Sequence, residues 1–355
     1  MAIRDSDSEI ITEAEAFAEA VSERAAARLA RSGICRGTLS IGGLGFELFE
    51  PISNEDRRLS RAFLSWTPQL QEVKPSPLHR LTVWDGTSRD VAPPKLPWSY
   101  TYKGPSLGVV GAYSNHAMRC AFDAETNSIV IYDTVKNTSH TWFPSIAELP
   151  AIATTSPFRI ALSWHCSLNG LQFVHGAAVA IGDRAVLLAG AAGSGKSTTA
   201  LACALDGLGY LADDYCAVEP GAGKIHMVYR TAKVSRSTLA MLPAVEPWIT
   251  NRGERGTDKD VIFLDPGIVR LVHSAELVAI LLPRVGTERT TKISPATRIE
   301  AVRAILPSTI MQLMGGTPKT PELILKLAQS VPAFHLSLGT DLAALTGAIA
   351  SQLLK

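Results

Sequence analysis

The chain has 355 residues, more than one ordinary hydrophobic core holds, so one large or two modest domains are expected. With 34 basic against 33 acidic residues its net charge is +1, which leaves no basic field to draw in nucleic acid or an anionic membrane. Five dispersed cysteines (Cys35, Cys120, Cys166, Cys203, Cys216) show no CxxC pair and no metal-ligand spacing, which argues against a disulfide framework and fits a reducing cytoplasm.

The early residues carry acids (Asp5, Asp7, Glu9) where a signal peptide would carry base, and no run of about 18 apolar residues follows. Residues Ser8 to Arg31 place Ile10, Ala14, Phe17, Val21 and Leu29 at helical spacing and predict an amphipathic helix closed by Ser32-Gly33. From Gly37 to Glu50 apolar residues alternate around Gly42-Gly43, a β-hairpin pattern. Residues 51–78 are polar and irregular, Leu81–Trp84 reads as a strand closed by Asp85-Gly86, and the proline-dense stretch Val91–Trp98 as a loop. Strands are expected at Ala117–Phe122 and Ser128–Asp133, with a turn at Asn137-Thr138-Ser139. Residues 1–150 are therefore expected to form a mainly antiparallel β region behind one helix.

Near Pro150 the texture changes, and residues 151–355 are expected to form a second domain. A helix over Pro157–Ser167 leads into a strand Leu171–Ala180, a Gly182-Asp183 turn and a strand Arg184–Ala189. A helix Ser197–Asp206 stopped by Gly207 follows, then a strand Tyr210–Val218. Short strands are expected at His226–Tyr229, Val261–Leu264 and Leu277–Leu282, and helices near Pro295–Ile305, Pro321–Gln329 and Asp341–Leu354.

Between Ala189 and the next helix stands Gly190-Ala191-Ala192-Gly193-Ser194-Gly195-Lys196-Ser197, followed by Thr198, a phosphate-binding P-loop pattern. Glycines let the backbone curl so that its N–H groups converge on phosphate oxygens, and the following helix adds its positive end. Lys196 would then contact the terminal phosphates and the Ser197 hydroxyl would ligate Mg²⁺. Asp213-Asp214 lies one short helix further on. In a continuous strand the two side chains would face opposite ways, one toward the nucleotide, to hold metal or accept a hydroxyl proton. His175 sits on the strand expected to pair with the P-loop strand, either near the γ-phosphate or as a satisfied core histidine. Arg230–Arg236 and Asp258-Lys259-Asp260 read more simply as a solvated loop and a turn than as sources of a phosphate-binding cation.

The run His175-Gly176, Gly190 to Thr198 and Ala212-Asp213-Asp214 resembles the catalytic domain of HPr kinase/phosphorylase, over about residues 160–350 and most closely over 172–218. The resemblance implies an α/β (α+β) P-loop domain with a mixed sheet, of the kind shared with phosphoenolpyruvate carboxykinases. It implies ATP and Mg²⁺ as cofactors, with Lys196 and Ser197 on phosphate and metal, Asp213 as general base, Asp214 supporting it or the metal, and His175 beside the acids. The likeness extends to HPr-kinase-like proteins of lasso peptide biosynthesis, through Leu81–Gly86 and Val331–Leu336 before Leu338-Gly339. The downstream RGLGI-type signature is not evident, so neither HPr nor dephosphorylation is carried over. The expected activity is phosphotransfer to a hydroxyl, a serine of a peptide or protein, with residues 1–150 recognising the acceptor. A small-molecule kinase and a non-catalytic nucleotide-sensing module stay open. The kinases it resembles assemble as hexamers, so a homo-oligomer is one further expectation.

Overall fold

The computed structural model describes residues 5–31, 33–52, 59–63, 67–68, 78–86, 108, 114, 117–254, 258–313 and 316–353. The proline-dense loop expected at 91–98 and most of 51–78 lie outside them.

Helix α1 (Asp5–Arg31) precedes strands β1 (Ile34–Ile41), β2 (Leu44–Pro51), β3 (Thr67–Pro68), β4 (Leu78–Asp85), β5 (Met118–Asp123), β6 (Ser128–Asp133) and β7 (Thr138–Phe143). They form one seven-stranded sheet in the order β3-β1-β2-β4-β7-β6-β5. The β1–β2 hairpin turns at Gly42-Gly43, both with positive φ, which a two-residue hairpin turn requires. Helix α1 lays Phe17, Val21 and Ala25 on a patch formed by Trp84, Met118, Cys120, Ile129 and Ile131. Each large apolar side chain so buried contributes about 1.5–3 kcal/mol.

One expectation holds in part and one fails in this half. Four of the six strand pairings are antiparallel, as expected, but β2 pairs with β4, and β4 with β7, in parallel. Thr138 and Ser139 are not in a turn but open β7, opposite Asp133 and Tyr132. The long segment between β2 and β4 lets the chain return in parallel, which no local pattern announces.

The second half adds α2 (Arg159–Leu168), β8 (Gln172–His175), β9 (Ala177–Ile181), β10 (Arg184–Leu188), α3 (Lys196–Leu205), β11 (Gly209–Ala212), β12 (Tyr215–Glu219), β13 (Lys224–Met227), β14 (Thr231–Ser235), α4 (Arg236–Met241), β15 (Lys259–Phe263), β16 (Ser274–Val285), β17 (Lys292–Ala296), α5 (Arg298–Gln312), α6 (Thr320–Ser330), β18 (Ala333–Leu338) and α7 (Ala343–Leu353). Nine of these strands make a mixed sheet around β16. One edge of β16 carries β10 in parallel. Its other edge forks, the first three residues pairing with β13 and the last six with β18. Strands β14 and β15 form a separate two-stranded ribbon. The chain is thus an α/β protein with mixed sheets.

Two strands expected to be continuous are broken, and at the same level. Leu171–Ala180 divides at Gly176 into β8, paired with β12, and β9, paired with β10 and β11. Tyr210–Val218 divides at Asp213-Asp214 into β11 and β12. A Cβ on Gly176 would stand 2.8 Å from the Leu188 carbonyl oxygen, so only glycine lets the two strands cross this closely.

Helix α2 is buried on every side, as Ile160 through Ser167 show, and this places it between the sheets. Its Trp164 joins Phe46, Leu48, Leu81 and Tyr132 of the first sheet with Phe173 and Tyr215 of the second in one cluster. Residues on both sides of position 150 share that core. No helix among the described residues is long and apolar enough to cross a membrane.

Candidate active site

The loop Gly190–Gly195 leaves the apolar strand β10 and enters α3 directly. Gly193 and Gly195 hold φ of 78° and 101°, in the left-handed region that favours glycine. The Leu338 side chain packs against Gly195, where a Cβ would lie 2.4 Å from its Cδ1. No side chain caps the start of α3, so its first N–H groups point out without a capping oxygen. The buried Ser194 hydroxyl has no hydrogen-bond partner either. Ala191, Ala192 and Gly193 are exposed.

Lys196 is buried and folds its ammonium back onto the loop, donating to the carbonyls of Gly190 (2.8 Å) and Ala191 (2.9 Å). Burial pulls its pKa below the ordinary lysine value, and the negative charges of Asp213 and Asp214 oppose that pull. Ser197 donates to Asp213 Oδ1 at 2.7 Å, which ties the loop to the broken strand. Thr198 turns elsewhere and meets the Thr238 hydroxyl on α4 at 2.8 Å.

The break at Asp213-Asp214 is built on backbone strain. Asp214 has φ of 73°, a left-handed conformation that costs a non-glycine residue about 1–2 kcal/mol. It turns the chain so that both carboxylates meet one lysine. Asp213 Oδ2 accepts from the backbone N–H of Lys233 at 3.1 Å, and Asp214 Oδ2 pairs with the Lys233 ammonium. Asp214 Oδ1 lies 3.4 Å from His175 Nε2, and the Ser156 hydroxyl lies 3.5 Å from its other oxygen. The two acids do not face opposite ways, because the strand expected to alternate them ends between Ala212 and Tyr215.

The two carboxylates differ in basicity. Burial, reinforced by the charge of Asp214, raises the pKa of Asp213 above the ordinary aspartate value, against the pull of Ser197 and Lys233. Burial would raise Asp214 as well, but the Lys233 ammonium and His175 outweigh it and hold that carboxyl well below the usual range.

His175 ends β8, not the strand that pairs with β10; its cross-strand neighbour is Tyr215. Its Nε2 faces Asp214 and its buried Nδ1 has no hydrogen-bond partner. Residues 230–236 are not a solvated loop. Thr231–Ser235 is strand β14, and Lys233, only 18% exposed, is a second cation of the site beside Lys196. The signal was present in Thr231-Ala232-Lys233-Val234-Ser235, whose small and polar residues alternate with apolar ones as a half-buried strand requires. Lys259 and Asp260 belong to β15 rather than a turn, and Lys259 pairs with Ser235, on the same ribbon face as Lys233.

Lys196, Ser197, Asp213, Asp214, His175 and Lys233 therefore converge where the loop meets the two broken strands. Asp214, expected to support the base or the metal, is paired with Lys233 through Oδ2, and the Ser197 hydroxyl donates to Asp213. Among the described residues no three His, Cys, Asp or Glu side chains group as a metal cluster of their own. No protein-family model matches the chain, and no curated protein does. The solved structures it matches include the HPr(Ser) kinase/phosphatase from Coxiella burnetii, at 11% identity, over 51% of this chain and 95% of that one, with a TM-score of 0.26.

Proposed function

We propose that the protein is an ATP- and Mg²⁺-dependent kinase that transfers the γ-phosphate to a hydroxyl, a serine of a peptide or protein. The observation that supports this reading is the 2.7 Å bond from Ser197 to Asp213, which sets an acid with a raised pKa beside the loop Gly190–Gly195. Phosphoryl transfer asks a protein for positioning and charge neutralisation rather than covalent chemistry. The uncapped N-terminus of α3 and the unpartnered Ser194 hydroxyl offer donors to phosphate oxygens, and Lys196 exchanges its loop carbonyls for the terminal phosphates.

Ser197 would hold Mg²⁺, which would neutralise charge on the β- and γ-phosphates. The acceptor oxygen bonds to the γ-phosphorus, the bond from that phosphorus to the bridging oxygen breaks, and ADP leaves with the electron pair. Asp213 takes the acceptor's proton, a task its raised pKa suits. Asp214 stays ionised and anchors Lys233, whose ammonium stands ready for charge that grows on the transferred group.

The test is Asp213→Asn, isosteric and unable to accept the proton. Transfer from γ-labelled ATP to a serine peptide, read by mass spectrometry, is expected to fall at least about a thousandfold while Mg·ATP binding persists. Transfer that survives the substitution removes Asp213 from the base role. ATP binding with no transfer to any peptide in the wild type favours a nucleotide-sensing module.

A further inference from the structure

Strands β10, β16 and β18 run parallel side by side, and their carboxyl ends point the same way. The phosphate loop leaves the first of them at Leu188, level with Leu281 of β16. Strand β16 continues four residues further, to Val285, and β18 keeps pace with it to Leu338. The wall this makes stands against the loop. A Cβ on Gly195 would lie 2.4 Å from Leu338 Cδ1 and 3.7 Å from Val285 Cγ2.

Val285 is 70% exposed, an apolar side chain held in water one loop-width from the proposed phosphate site. The ledge is firm. Gly286 donates to the Leu338 carbonyl, Thr340 and Asp341 donate to the carbonyls of Glu288 and Arg289, and Gly339 donates to the Thr291 hydroxyl. In open parallel sheets ligands lie in the crevice beyond the carboxyl ends of the strands. The acids and Lys233 lie beyond the other edge of β10, through β9 and β11. A nucleotide whose terminal phosphate faces those acids thus has its nucleoside on the β16–β18 side.

We infer that Val285 and Leu338 form the seat of the donor's nucleoside, side by side on neighbouring strands and offering one face of a purine ring an apolar platform. This rests on the phosphate-donor assignment above. A seat of this kind reads ring area, so purine triphosphates bind more tightly than pyrimidine ones, and tripolyphosphate, which has no nucleoside, ignores it.

The experiment is Val285→Ser, at an exposed position where folding is insensitive, with Leu338→Met as a second, volume-conserving variant. Binding of Mg·ATP, Mg·CTP and Mg·tripolyphosphate is measured by calorimetry on the full chain. The expected result is that Val285→Ser weakens ATP about five- to twentyfold and leaves tripolyphosphate within twofold, with Leu338→Met shifting ATP by less. An unchanged ratio of ATP to tripolyphosphate affinity, or CTP binding as tightly as ATP in the wild type, overturns the seat and leaves the phosphate loop standing. If wild-type protein binds neither ATP nor tripolyphosphate, the phosphate-donor assignment fails and the seat with it.

Discussion

In the seven-stranded sheet the described strands carry no interior break, and buried ionisable groups such as Glu47 and His79 sit within a strand beside partners on the same or the next layer, with Glu50, Asp85 and Asp123 at strand ends. Glu47 on β2 faces Arg36 and Arg80 on the flanking strands, and His79 on β4 meets His165 of α2 at 3.0 Å between their Nδ1 atoms. In the nine-stranded sheet two strands are interrupted at one level, and Asp213, Asp214 and His175 collect at the interruption with Lys196 and Lys233 around them. Charge placed mid-strand ties layers together and leaves the backbone satisfied. Charge placed at a break takes up backbone strain, as at Asp214, and gains in return an arrangement that an unbroken ladder forbids, two adjacent carboxylates sharing one lysine.

The widest test of that contrast is Lys233→Met. It removes the partner of a carboxylate only 18% exposed, and an unpaired buried charge costs about 3–5 kcal/mol of stability. Transfer is expected to drop on the order of a hundred- to a thousandfold, as for loss of one preorganised electrostatic group. Adding Asp214→Asn to Lys233→Met discharges the orphan carboxylate, so thermal stability should return while transfer does not. Should transfer return along with stability, Lys233 is a structural cation and the two sheets use their charges alike.

How much of this was legible in the sequence follows from how local each cause is. The loop Gly190–Gly195 is a local object: glycine at φ values that favour it, an apolar strand before it and a helix after it, all within Arg184–Leu205. The broken strands are not. Leu171–Ala180 and Tyr210–Val218 are continuous apolar runs, and only the interior Gly176 and the aspartates, residues that strands disfavour, hint at interruption. The strand around Lys233 was legible in its alternation, but its pairing with Asp214 was not, because that depends on ribbon β14–β15 arriving beside Asp214, a contact between segments 19 residues apart. The parallel pairing of β2, β4 and β7 escaped for the same reason, since register between distant strands leaves no periodic trace within either one.

The histidines offer an intermediate effect with a definite sign. Burial lowers His79, and burial together with His79 lowers His165 well below the ordinary value; burial lowers His140 on β7 to about 4. The unfolded chain titrates these groups near pH 6.5. Their folded-state pKa values are depressed, so stability is full above about 6.5 and is lost as pH falls, because the unfolded chain binds protons that the fold refuses. For His140 alone the loss between pH 6.5 and 4 is about 3 kcal/mol. Denaturant midpoints should fall steadily over that window, and His79→Leu/His165→Leu should flatten the slope. A midpoint independent of pH from 7 to 5 contradicts neutral burial of the three rings.

The smallest effect is the most discriminating between the sheets. Glu47 is 1% exposed, but its partners Arg36 and Arg80 are 52% and 56% exposed and lie over the Phe49 ring. Their charges are solvated, so the attraction is partly screened, and Glu47→Gln, which keeps an accepting oxygen, should cost only about 1 kcal/mol and leave transfer untouched. Salt sharpens the point. With ions at 1 M the screening length falls to about 3 Å, so the wild type should lose most of that 1 kcal/mol while Glu47→Gln loses none. The Lys233–Asp214 pair, shielded from solvent on both sides, should keep its contribution under the same salt. If denaturation in 1 M salt weakens the two pairs equally, the pair at the break is as open to water as the one in the intact sheet, and the enclosed environment on which the basicity of Asp213 depends is absent.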